Sequence, residues 1–121
     1  MARGAALTIA AGRLGLGVSA LVVTDRALQA LGFAQPDSAG RALARLVGTR
    51  DAALALLALA ARDDREALRD AVLAGAAVDA LDAVSLGLAA SDPATRSAAL
   101  RGLAAGSAAA LAGAWVWRRL S

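Results

Sequence analysis

Four apolar runs, each close to the length that crosses a bilayer, fill most of this chain and leave only three short polar breaks. They extend from about Ala5 to Val23, Arg41 to Ala61, Ala71 to Ala90 and Ala98 to Trp117. About 20 helical residues rising 1.5 Å each match a hydrocarbon core roughly 30 Å thick. No run alternates with period two, which argues against a β-barrel. Ala and Leu richness, with both prolines confined to the breaks, argues for helices. The expected fold is therefore all-α, one domain over residues 1–121, built as a four-transmembrane-helix bundle with helices near 5–24, 40–61, 68–90 and 95–118. Asp37 or Ser38 is expected to cap the second helix, and Ser91 or Asp92 the fourth, with Pro93 as its first residue. DRALQALGF, after the first run, reads as an amphipathic turn or two at the membrane surface. Arg3 ahead of an apolar run has the outline of a leader peptide, but Arg13 interrupts its centre, so a retained helix is expected.

Composition agrees with lipid as the solvent. Hydrophobic residues make up 59% of the chain and charged residues 19%, against about 25% charged in soluble domains. Aromatics are only 2%, so a water-soluble core would have to be built from Ala, Leu and Val. All 13 basic residues are Arg, spread from Arg3 to Arg119 and interleaved with Asp. A nucleic-acid face would concentrate them beside stacking aromatics, so no nucleic-acid partner is expected. Without His or Cys there is no disulfide, haem ligand or ordinary zinc site, and no metal or cofactor is expected. No phosphate loop, dinucleotide fingerprint or nucleophile elbow is present, and the reading leans away from an enzyme.

Charges inside the apolar runs are the most informative feature. Arg13, Arg50, Asp51, Asp79 and Asp82 fall near the midpoints of three of the expected spans. A charge at the centre of a lipid-facing helix costs about 2.5–3.5 kcal/mol on insertion scales. These side chains should therefore turn into the bundle, with Arg13 or Arg50 paired to Asp79 and Asp82. Asp79 and Asp82 share a helix face, and Gly75 on that face leaves room for a neighbour. Two Arg against three Asp leave one surplus negative charge, so one carboxyl is expected to hold a proton. A second helix starting nearer Gly48 would put Arg50 and Asp51 at the interface and reduce the cluster to Arg13, Asp79 and Asp82. Either the cluster is a site for a small molecule, proton or ion, or it is a latch that sets helix register.

Small residues and anchors complete the pattern. Gly102, Gly106 and Gly113 form a small-residue stripe, read as contact within the bundle in preference to a homodimer face. Trp115 and Trp117 followed by Arg118 and Arg119 read as anchors at the headgroup level. Arginine counts in the loops place the protein in the cell membrane, multi-pass, with both termini cytoplasmic.

The run RLVGTRDAALALLALAARDDREALR, followed by AGAAVDALDAVSLGL, resembles an uncharacterised family of small bacterial four-helix integral membrane proteins. That domain-of-unknown-function group is similar in outline to the DoxX-like proteins. The likeness rests on Gly48 with Arg50-Asp51 and on Asp79 with Asp82, across the middle half of the chain. It implies the four-helix membrane architecture and no activity. Lipid is the expected environment, with a homo-oligomer or a larger membrane complex as the partner. The leading reading is a membrane protein with a mid-bilayer Arg/Asp site. The alternatives are a non-catalytic accessory subunit of a larger complex and a soluble Ala-rich four-helix bundle, which would bury its Leu stripes and expose those charges.

Overall fold

A computed structural model describes residues 1–33 and 35–121. The described residues are all-α, in five helices: α1 (Ala2–Val22), α2 (Thr24–Ala30), α3 (Ser38–Ala60), α4 (Arg65–Ala89) and α5 (Arg96–Leu120). The expected count of four is corrected to five. Val23 leaves helical geometry (φ −120°, ψ 51°) and breaks the chain between α1 and α2. The stretch expected to form an amphipathic turn or two is this separate helix of 7 residues. Gly32, at φ 105°, ends it, letting its own N–H donate to Gln29 O and that of Phe33 to Leu28 O, 3.0 Å each. This paired closure needs a left-handed residue, which glycine supplies without strain.

Two carboxylates start helices. Asp37 Oδ1 accepts from Gly40 N at 2.6 Å to begin α3, and Asp64 Oδ1 accepts from Ala67 N at 3.1 Å to begin α4. The expected start of the last helix is corrected. Asp92 Oδ1 instead accepts from Ala94 N at 2.9 Å within the turn, and α5 begins only at Arg96.

The long helices associate as two close pairs, α1 with α3 and α4 with α5, joined more sparsely through α3–α4 and α1–α5. Glycine permits both close approaches. A methyl group on Gly17 would stand 2.7 Å from Gly48 O and 2.8 Å from Ala52 N on α3. On α5, a methyl on Gly113 would lie 2.9 Å from Ala76 Cβ, and one on Gly106 would lie 3.3 Å from Asp79 O. Gly102 faces the Leu86 side chain. The whole stripe on α5 is thus spent on α4, within the chain.

Small residues lie inside and large ones outside. Ala6, Ala10, Ala55, Ala58, Ala76 and Ala99 are buried, and Leu68 and Val116 are the largest side chains fully enclosed. Leu16, Leu46, Leu57, Leu81, Leu88 and Leu111 are more than half exposed. A soluble bundle would do the reverse, because burying Leu is what drives it together in water. In lipid, close backbone contact takes over that role. α1, α4 and α5 are long and apolar enough to cross a membrane, which points to a membrane protein. α3 matches them in length, but every stretch of it long enough to span keeps at least three of Arg41, Arg45, Arg50 and Asp51.

Candidate functional site

Arg13 sits midway along α1, Arg50 and Asp51 midway along α3, and Asp79 midway along α4, with Asp82 one turn further on. The structure brings all five into one ion-pair chain. Arg13 Nη1 donates to Asp51 Oδ1 at 3.0 Å, and Arg13 Nη2 donates to Asp79 Oδ2. Arg50 reaches Asp82 with both ends of its fork, at 2.9 and 2.6 Å, and touches Asp51 Oδ1 at 3.3 Å. Asp51 is therefore the shared acceptor. Gly75 makes room for this, since the Arg13 guanidinium lies across it, 3.5 Å from where a Cβ would be.

The chain of pairs has an inner and an outer half. Side-chain exposure is 11% for Arg13, 12% for Asp79 and 19% for Asp51. For Arg50 and Asp82 it is 34% and 36%. The expectation that all five turn into the bundle is corrected: Arg50 and Asp82 lie along the α3–α4 seam, where the two helices touch only sparsely. Arg50 Nε is nonetheless buried, with no partner among the described residues.

A cavity of about 20 Å³ lies against Arg13 and Asp79, walled by Ala10, Ala55, Gly75 and Ala109. A space of that size holds about one water molecule. Among the described residues, no three carboxylates converge as metal ligands would.

The ends carry their own polar contacts. Arg3 Nη2 meets Asp63 Oδ1 at 2.7 Å, and Arg65 Nε donates to Leu120 O at 2.8 Å, which gathers the start of α1, the α3–α4 turn and the end of α5. At the other end Arg41 Nε donates to Asp25 Oδ1 at 2.7 Å, and Arg45 Nε to Thr24 Oγ1 at 3.3 Å. The hydrogen bond from Arg41 holds the Asp25 carboxyl below its ordinary value. The two tryptophans differ. Trp115 is 46% exposed, with the Arg119 guanidinium 5.4 Å from its ring centre. Trp117 packs against the buried core beneath Arg69, which lies 4.8 Å from its ring. Arg118 is exposed. Arginine counts in the loops assign these residues to a side of the membrane but do not predict their pairing. Their one signal was that Arg3, Arg62, Arg65 and Arg119 fall on the same side of a four-span chain.

No curated protein and no solved structure is significantly similar to the chain. Residues 10–118 match the model of the domain of unknown function DUF4267, and the chain belongs to that family. The resemblance to an uncharacterised domain family noted above is consistent with this match.

Proposed function

Starting from a family with no assigned activity, we propose that this chain is a multi-pass membrane protein that holds one exchangeable proton at mid-bilayer, on Asp79. The observation that carries the reading is the charge count of the connected network, three Asp against two Arg. In a low-dielectric interior the remaining negative charge calls for a counter-charge. Asp79 has one arginine donor, whereas Asp51 accepts from two arginines and Asp82 from both Nη atoms of Arg50. The adjoining cavity admits about one water and no organic ligand, which favours a proton over a small molecule. α3 completes a four-span arrangement, because its mid-helix charges have partners on α1 and α4 and need not stay in water.

Infrared difference spectroscopy on the reconstituted protein tests this. The wild type should display a protonated-carboxyl band that responds to deuterium exchange, and Asp79→Asn should lose it. A spectrum with every Asp ionised would reduce the network to a latch that sets helix register. Resistance of the protein to alkaline carbonate extraction tests the membrane placement separately.

One observation favours a second reading, an accessory subunit. Arg50 and Asp82 are about a third exposed at mid-height, where contact with hydrocarbon is expensive. A partner helix laid on the α3–α4 seam would relieve that cost. Native mass spectrometry should then find a complex that Asp82→Asn weakens.

A further inference from the structure

We infer that the recess formed where the start of α1, the α3–α4 turn and the end of α5 meet binds the phosphate headgroup of an anionic phospholipid. This rests on the membrane reading above but concerns a different site. The recess measures about 430 Å³ and is lined by Arg3, Arg62, Arg65 and Arg119 against a single acid, Asp63. Four guanidiniums facing one carboxylate leave a strong positive excess. Each guanidinium carries five N–H donors in a fork suited to phosphate oxygens. Few of these are committed: Arg3 donates one to Asp63, and Arg65 donates to the carbonyls of Leu120 and Ser121. Arg62 reaches Leu59 O at 3.4 Å and Asp63 at 3.4 Å, both long.

Two further observations select a lipid over free phosphate. The recess also has apolar lining, from Met1 and Ala2 at the start of α1 and from Leu68 and Leu120. Trp115 and Trp117 lie at the same end of the bundle, on the last turns of α5, and indole rings favour the depth of the headgroups. A molecule with a phosphate at one end and hydrocarbon at the other satisfies both kinds of lining, whereas inorganic phosphate leaves the apolar side chains wet. Basic pockets between spans on one side of a membrane are suited to such headgroups.

The experiment uses the full chain in nanodiscs of phosphatidylcholine, with phosphatidylglycerol titrated in and retained lipid counted by native mass spectrometry. The wild type should retain phosphatidylglycerol selectively. The double variant Arg3→Gln/Arg62→Gln removes two exposed side chains and should weaken retention about 25-fold, each basic residue near the surface counting for about fivefold. Arg26→Gln/Arg96→Gln, at the opposite end, should leave it unchanged. Equal retention of both lipids, equal loss from both double variants, or displacement by millimolar inorganic phosphate would each overturn the assignment. If the chain is released by alkaline carbonate, the membrane reading itself falls; a carbonate-resistant chain with no lipid preference loses only the headgroup site.

Discussion

Asp51 accepts from Arg13 on α1 and from Arg50 on its own helix, whereas Asp79 has Arg13 alone. Removing Arg13 takes away the one arginine donor of Asp79 and one of the two that serve Asp51. Breaking one side of a buried ion pair costs about 3–5 kcal/mol, and Arg13→Leu is expected in that range, read as a lower unfolding midpoint in detergent. Adding Asp51→Asn to it should recover much of the loss, since Arg50 and Asp82 then remain a matched pair. A milder effect belongs to Asp25, whose carboxyl Arg41 holds below its ordinary value. A depressed carboxyl stabilises the fold above its unfolded value of about 4 and loses that contribution as pH falls through the folded value. Acid titration of the wild type should therefore weaken the α2–α3 junction, and Arg41→Gln should lack that step.

Helix pairing turns on a few glycines, and they are not equivalent. Gly17 abuts the backbone of α3 at Gly48 O and Ala52 N, so Gly17→Ala must push two helices apart. Overpacking of that kind costs about 1–3 kcal/mol. Gly12 has nothing within 4 Å of an added methyl, and Gly12→Ala should be neutral or stabilise by about 0.5 kcal/mol through lower chain entropy. Both are measured by unfolding in the same detergent. The sequence announces the long helices through run length and the position of Pro36 and Pro93, but it does not distinguish Gly12 from Gly17. That difference depends on which face meets α3, and an Ala-rich run with apolar residues all round gives no face to read. The one or two turns of α2 are legible, but not their separation from α1: the end is set by Gly32, left-handed at φ 105°, and the start by the bend at Val23, where no proline or cap residue stands. Asp92 and Pro93 carried a strong start signal, but the turn used Asp92 for Ala94 and delayed α5 to Arg96.

At the scale of the molecule, α1 to α3 form one closely packed body and α4 with α5 another, with the ion pairs running between them. Separately expressed segments 1–62 and 63–121 should therefore recover each other through a tag, and the combined change Arg13→Leu/Arg50→Leu should abolish that recovery. The five mid-helix charges could be named from the sequence because charge in an apolar run has few places to go. Their division into an inner and an outer half could not, since it depends on the sparse α3–α4 contact. One guanidinium serves both kinds of tie: Arg13 meets Asp51 inside its own body and Asp79 in the other. Releasing the Asp79 proton would strengthen the second tie and leave the first unchanged. Departure of a single positive charge would then act as a partial clutch, pressing one half of the protein against the other at Arg13 while Arg50 keeps its own grip on Asp82.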